Sequence, residues 1–352
     1  MTLSDIIRSI QPLDEAAMLA ASQRQDRLTK PHGSLGRLER LSIQVAGITR
    51  QPLPRIKDKV VVVMAGDHGV VCQGVSAYPQ EVTPQMVLNF LHGGAAINVL
   101  SRHAGARVLI VDMGVAADLP PHPDLIVKKI AYGTADITLG PAMSLDQASQ
   151  ALLAGAEIVA AEIERGLDLL ATGDMGIGNT TPSAAIAATL TGLPVESIVG
   201  RGTGVDDQGL QRKIEAVQLA LDFNHPNPQD GLDVLSKVGG YEIAGLAGAI
   251  LAAAAHQRPV VIDGFISTAA AMIAVSLCPQ VRAYLIAAHA SLELGHRRML
   301  EWLQIEPILD LDLRLGEGTG AVLAMMLIEA ACKILSEMAT FDEAGVSEKD
   351  ER

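Results

Sequence analysis

The sequence predicts an α/β protein with a parallel sheet flanked by helices. From residue 59 onward, short apolar runs alternate with longer segments of helical periodicity, the signature of strands joined by helical crossovers. The runs are continuous in Val, Ile, Leu and Ala rather than alternating, as strands covered on both faces are. Asp67, Asp112, Asp174 and Asp263 each end a run and His289 follows another, so polar groups collect at the carboxyl ends, where parallel sheets bind ligands.

Composition agrees. A chain of 352 residues suffices for one large α/β domain, or for a large domain with a small companion. Hydrophobic residues make up 49% and aromatic ones only 3%, so the interior must be close-packed Ala, Val, Ile, Leu and Met. A formal net charge of −13 excludes a general nucleic-acid surface, and an anionic ligand needs local neutralisation. Cys72, Cys278 and Cys332 are odd in number and lack metal-type spacing, which reads as reduced thiols in a cytoplasmic protein. Residues 1–12 hold no sustained apolar core, so no signal peptide is expected. The most membrane-like run, residues 243–255, has 13 residues with two glycines and falls short of the ~20 that a bilayer requires.

In order, residues 3–28 read as one helix, residues 29–39 as a break, and residues 38–49 as a second helix. Residues 59–65 form the first strand and empty into Gly66-Asp67-His68-Gly69. A helix at 83–104, a strand at 107–112, a Pro-rich loop at 119–123, a short strand at 126–130 and a long helix at 144–165 follow. An apolar run at 167–171 leads through a glycine-rich loop at 172–183 into an Ala-rich helix at 184–190. A strand at 197–200, a helix at 208–221, a small-residue helix at 239–255, and strands at 259–263 and 283–288, each with a helix after it, come next. The final helix covers 320–338, and a solvated charged tail runs from 342 to 352.

The loop at 172–183, Thr-Gly-Asp-Met-Gly-Ile-Gly-Asn-Thr-Thr-Pro-Ser, is the stretch around which the chain is organised. Its glycines allow close backbone approach, Asn179, Thr180 and Thr181 supply capping oxygens, and amides at a helix start favour a phosphate. No Lys follows the glycines, so the loop is not of Walker type, and its spacing is not that of the dinucleotide fingerprint. The turn at 200–204, with Lys213 in the next helix, would finish a cradle for an anion, although residues such as Arg201 and Lys213 are more often surface charges. Residues 313–321 bare one carboxylate, Glu317, between glycines at the start of the last helix, whose N-terminus is expected to stabilise the charged form and so favour a proton acceptor. Residues 75–85 combine Ser76, Tyr78 and Gln85 around Pro79, a mix that suits a flat, partly polar ring. The histidines show no HExxH spacing, so no zinc site is expected. Asp174 with Asp206 and Asp207 would suit Mg²⁺.

Taken together, these segments resemble the nicotinate-nucleotide:dimethylbenzimidazole phosphoribosyltransferase family, nearly end to end. The resemblance rests on residues 29–39, 65–70, 74–98, 173–183, 200–207, 239–248, 263–271, 289–295 and 313–320. It implies a Rossmann-like sheet domain over residues 51–318 and a small helical domain built from both termini, 1–50 with 319–352. It implies a cytoplasmic homodimer without metal, cofactor, nucleic acid or membrane. It implies phosphoribosyl transfer from nicotinate mononucleotide to 5,6-dimethylbenzimidazole, giving α-ribazole 5′-phosphate and nicotinate with inversion at the anomeric carbon.

In the family the Glu of a Gly-Glu-Gly motif is the general base, and that residue is Glu317 here. The resemblance assigns phosphate and nicotinate contacts to Gly176, Ile177, Gly178, Asn179, Thr180, Gly202 and Gly204, with Lys213 and Ser291 beside them. It places the benzimidazole against Ser76, Tyr78, Gln85 and Leu315, and adds Asp174, Met175 and Asp263 to the substrate-binding set. Two alternatives stand beside this reading: a metal-dependent phosphotransferase using Asp174, Asp206 and Asp207, and a non-catalytic nucleotide-sensing module.

Overall fold

The computed structural model describes residues 2–202 and 204–347. Six strands, β1 (Lys59–Gly66), β2 (Ala106–Gly114), β3 (Leu125–Val127), β4 (Leu169–Met175), β5 (Val260–Ile262) and β6 (Leu285–Ala287), form one parallel sheet in the order β3-β2-β1-β4-β5-β6. The expected α/β architecture is present in its doubly wound, Rossmann-like form. The chain crosses from one half of the sheet to the other between β1 and β4, and beyond their carboxyl ends such sheets open a crevice.

β1 shows why the apolar runs are continuous. Val60, Val62 and Met64 enter the core on one face of the sheet, while Val61, Val63 and Ala65 enter the core on the other. Helices Leu145–Glu164, Thr180–Thr191, Tyr241–Ala255 and Phe265–Leu277 cover the first face. Arg37–Thr49, Val82–Leu91, Ala96–Ala104 and Thr319–Glu337 cover the second. Few aromatics are needed because the helices meet backbone to backbone. A side chain on Gly155 would overlap the Gly245 carbonyl, and one on Gly248 that of Leu152, so these glycines seat Leu145–Glu164 on Tyr241–Ala255.

Glu15–Arg27 packs on Arg37–Thr49, both touch Thr319–Glu337, and Ala21, Ala46 and Leu335 form a satellite cluster there. Leu3–Ser9 lies instead on the opposite face, against Tyr241–Ala255 and Leu145–Glu164. Among the described residues one helix, Thr319–Glu337, is long and apolar enough to cross a membrane, and its inner side lies in the core against the sheet.

Several expected boundaries move for local reasons. The helix expected over 3–28 is two, Leu3–Ser9 and Glu15–Arg27: Pro12 interrupts it and Asp14 recaps it by accepting the Ala17 amide at 2.8 Å. The helix expected at 83–104 breaks into Val82–Leu91 and Ala96–Ala104 at Gly93, which takes φ +75°. β4 continues to Met175 and the next helix starts at Thr180, so the glycine-rich loop shrinks to residues 176–179. No strand forms at 197–200. Val195–Ser197 is a 3₁₀ turn in which Ser197 Oγ donates back to the Pro194 carbonyl at 2.7 Å, a local bond that competes with sheet pairing. β3 ends at Val127, helix Gly231–Val238 was not anticipated, and the start of the expected tail folds as Phe341–Ala344. Residues 348–352 of that tail lie outside the described residues.

Candidate active site

A cavity of about 390 Å³ opens beyond the carboxyl ends of β4, β5 and β6. Tyr78, Asp174, Met175, Gly176, Ile177, Asn179, Thr180, Gly202, Ser291, Leu315 and Glu317, all expected from sequence, share its wall. Gly204 lies in an adjoining cleft that shares Gly202. Gly178 turns with φ +86° behind the wall, against Val71. Ser76 and Gln85 stand outside it: Ser76 Oγ accepts the Tyr78 amide at 3.1 Å, and Gln85 is exposed on Val82–Leu91. Sequence reasoning missed Met86, Phe265, Ile266, Glu293 and Arg314, which also line the cavity. These arrive from four separate segments, each close to a residue that the sequence singles out, namely Gln85, Asp263, Ser291 and Leu315, and that neighbourhood is the signal that could have found them.

One end of the cavity presents hydrogen-bond donors without acceptors among the described residues. Thr180–Thr191 begins there, and its N-cap residue, Asn179, does not cap it but donates to Asp174 Oδ2 at 3.0 Å. The Ile177 amide is taken by Thr83 Oγ1 at 3.0 Å, whereas the Gly178 and Thr180 amides find no acceptor among the described residues. Thr181 Oγ1 and Ser183 Oγ are likewise buried without a partner. An uncapped helix start surrounded by free donors favours a phosphate.

Lys213 stands beside it, with Nζ donating to Thr180 Oγ1 at 2.9 Å and to the Gly200 carbonyl at 3.0 Å. Far from being a surface charge, Lys213 is 1% exposed, and burial pushes its ammonium down to about 8, with Glu293 opposing. Gly202 leaves room for it, since a Cβ there would come within 2.9 Å of Nζ. Arg201 is half exposed and pairs with Asp207.

The other feature is Glu317. Gly316, Glu317 and Gly318 take φ values of +86°, +62° and +92°, so a non-glycine residue is held in the left-handed region. That conformation costs about 1–2 kcal/mol, and such strain clusters at functional sites. Two devices hold it. Gly173 in β4 has no side chain, and one would overlap the Glu317 carbonyl. Asp263 accepts the Gly318 amide at 3.2 Å and the Ala321 amide at 2.9 Å, so it clamps the start of the last helix and does not line the cavity.

Glu317 is 5% exposed, and its Oε2 accepts the amide of Ile97 at 3.2 Å. The helix start that meets the carboxylate is thus that of Ala96–Ala104, not that of the last helix. Its effect is outweighed. Burial, with the charge of Asp263, raises Glu317 above the usual carboxylate range, against the expected lowering. Asp174 is raised further, pushed up to about 8 by burial and by Asp263, with Asn179 opposing, and its Oδ1 has no partner. At neutral pH Asp174 therefore holds its proton, and the wall does not carry two adjacent negative charges there.

The other acids at the strand ends serve loops. Asp67 Oδ2 accepts the Ala116 amide at 2.8 Å, and Asp112 accepts the Val115 amide at 2.9 Å while pairing with Lys129 at 3.3 Å. Asp206 caps Asp207–Asn224 by accepting the Gly209 amide at 2.8 Å. Among the described residues no three His, Cys, Asp or Glu side chains converge as metal ligands, so the set that the phosphotransferase alternative requires is not assembled.

Fold and cavity define a doubly wound α/β protein whose small-molecule site joins an uncapped helix start to a buried, strained carboxylate. A family model described as a phosphoribosyltransferase, DBI_PRT, matches residues 10–346. A protein of Chloroflexus aggregans named nicotinate-nucleotide–dimethylbenzimidazole phosphoribosyltransferase is 62% identical over 349 residues, with 99% of both chains covered. One of the same name from Geobacter sulfurreducens is 55% identical over 348 residues, again with 99% of each covered. A crystal structure of the Thermus thermophilus protein of this name superposes with a TM-score of 0.91 at 50% identity, over 96% of this chain and 100% of that one. The chain belongs to this phosphoribosyltransferase family.

Proposed function

We propose that the protein transfers the 5-phosphoribosyl group of nicotinate mononucleotide to 5,6-dimethylbenzimidazole, releasing nicotinate and α-ribazole 5′-phosphate. The observation that carries the reading is the pairing, in one cavity, of the free donors at the start of Thr180–Thr191 with the clamped Glu317. The helix start and Lys213 hold the 5′-phosphate. As the glycosidic bond breaks, its electron pair returns to the pyridine nitrogen, so nicotinate leaves without an acid. A ring nitrogen of the incoming base bonds to the anomeric carbon from the opposite side, which inverts β to α, and its partner nitrogen gives up a proton to Glu317.

A raised carboxyl is the better acceptor for that proton, and its charge sits where positive charge builds on the ribose. Tyr78, Met86, Phe265 and Leu315 supply the apolar part of the slot for the base. The protein works as a cytoplasmic homodimer, and the small helical unit drawn from both chain ends reduces to Glu15–Arg27, Arg37–Thr49 and the end of Thr319–Glu337 around the satellite cluster. The exposed leucines 292, 294, 311 and 315 and the unpaired state of all three cysteines support the homodimer and the cytoplasm respectively.

Incubating the purified protein with nicotinate mononucleotide and a panel of benzimidazoles, purines and phenols tests it. Nicotinate release with an α-configured product from dimethylbenzimidazole is expected. Phosphate release, or a β-configured product, would overturn the reading.

A further inference from the structure

Behind the turn that follows β4, outside the cavity wall, lies a buried pair that the transfer chemistry does not use. His68, just beyond β1, places Nε2 2.8 Å from Oε1 of Glu242, and the two side chains are 1% and 0% exposed. A carboxylate only accepts, so Nε2 carries the hydrogen. His68 Nδ1 and Glu242 Oε2 have no partner among the described residues, so one hydrogen bond and packing hold the ring in place.

Four glycines close around the pair. A Cβ on Gly176 would lie 3.3 Å from His68 Nε2, and one on Gly178 would lie 4.0 Å from His68 Cβ. From the other side, a Cβ on Gly240 would lie 2.5 Å from His68 Cε1, and one on Gly66 2.7 Å from Glu242 Oε2. Gly176 and Gly178 are the glycines of the turn itself, so the turn rests on the His68 side chain together with the Gly66 carbonyl and Val71, which a Cβ at 176 and at 178 would meet first. Glu242 stands in the first turn of Tyr241–Ala255, where the helix start favours its charge.

We propose that His68, held by Glu242, is a positioning residue that sets the height of the turn at 176–179 and through it the grip on the substrate's phosphate. This rests on reading that turn as the phosphate site. The test compares steady-state kinetics on nicotinate mononucleotide and on nicotinate riboside, which lacks the phosphate.

In His68→Asn the amide is too short to reach Glu242. KM for nicotinate mononucleotide is expected to rise about tenfold, with kcat within about threefold of wild type. The preference over the riboside should fall by the same factor, with no change in KM for dimethylbenzimidazole. His68→Gln, which returns an N–H to the Nε2 position, should rescue. Gly240→Ala presses on the His68 ring and the Glu242 carboxylate together, which a Cβ there would meet at 2.5 and 2.8 Å, and should show the same shift, so the test stands even if His68→Asn does not fold.

A merely structural role would move both KM values, kcat and the thermal midpoint together, and that pattern, or wild-type KM in folded His68→Asn and Gly240→Ala, overturns the proposal. Lys213→Met, which removes the cation beside the helix start, separates the two failures. If it keeps the phosphate preference, the phosphate reading fails and takes this inference with it. If it loses the preference while the His68 and Gly240 variants keep theirs, this inference alone fails.

Discussion

Replacing Asp174 with Asn should make the protein more stable, by an amount that grows with pH. In the folded chain the carboxyl is pushed up to about 8, from an ordinary value near 3.8, by burial and by the charge of Asp263. Below about pH 4 the group is protonated folded or unfolded and costs nothing. Between about pH 4 and 8 the folded state holds a proton that the unfolded state has released, so stability falls by up to about 1.4 kcal/mol per pH unit as pH rises. The full shift corresponds to roughly 6 kcal/mol, the upper bound on the gap expected by pH 8.

Asn keeps the contact with Asn179, since its amide oxygen can accept where Asp174 Oδ2 now accepts at 3.0 Å. Urea denaturation of wild type and Asp174→Asn at pH 4.5, 6, 7 and 8 reads the difference directly. The two should nearly coincide at the acid end and separate steadily toward pH 8. A gap independent of pH, or one that closes as pH rises, would show that the carboxyl is not held neutral by its surroundings.

Three further outcomes follow from the same geometry. Glu317→Gly should gain about 1 kcal/mol of stability by releasing the left-handed residue at φ +62°, while losing turnover, as paired calorimetry and nicotinate-release assays would show. Gly173→Ala drives a methyl into the Glu317 carbonyl and the backbone beside it, so the thermal midpoint should fall and kcat of the folded fraction should drop by about tenfold or more, because small displacements of a base are costly. Lys213 is held near 8 in the free protein, so kcat/KM for nicotinate mononucleotide should decline above about pH 8 as the ammonium is lost. The alkaline limb of kcat should lie higher, because bound phosphate restores the charge; equal limbs would remove Lys213 from the phosphate site.

The sheet was legible because β1 and β4 are apolar on both faces, and a continuous run of Val cannot satisfy a half-exposed strand. The glycine-rich turn and Glu317 were legible because glycines flank them in sequence. What stayed hidden depended on partners far along the chain. Asp263 looked like a strand-end ligand, yet both its oxygens serve amides at 318 and 321, more than 50 positions later. Lys213 sits on a helix with exposed charged neighbours, and nothing in its periodicity marks that it points inward. The sign of the Glu317 shift was misread because a helix start can be inferred from a sequence, whereas the desolvation that outweighs it cannot. Short strands failed for a related reason: at 197–200 the run was too brief to prevail over the turn that Pro194 and Ser197 make locally.

The central claim is that Glu317 takes the proton from the incoming base while the phosphate is held elsewhere in the cavity. Single-turnover nicotinate release by Glu317→Gln, measured with saturating dimethylbenzimidazole alongside the Kd for nicotinate mononucleotide, tests it most directly. A rate lowered about 10²- to 10⁴-fold with unchanged Kd is expected. A near-wild-type rate, or a loss explained entirely by weaker nucleotide binding, would contradict it.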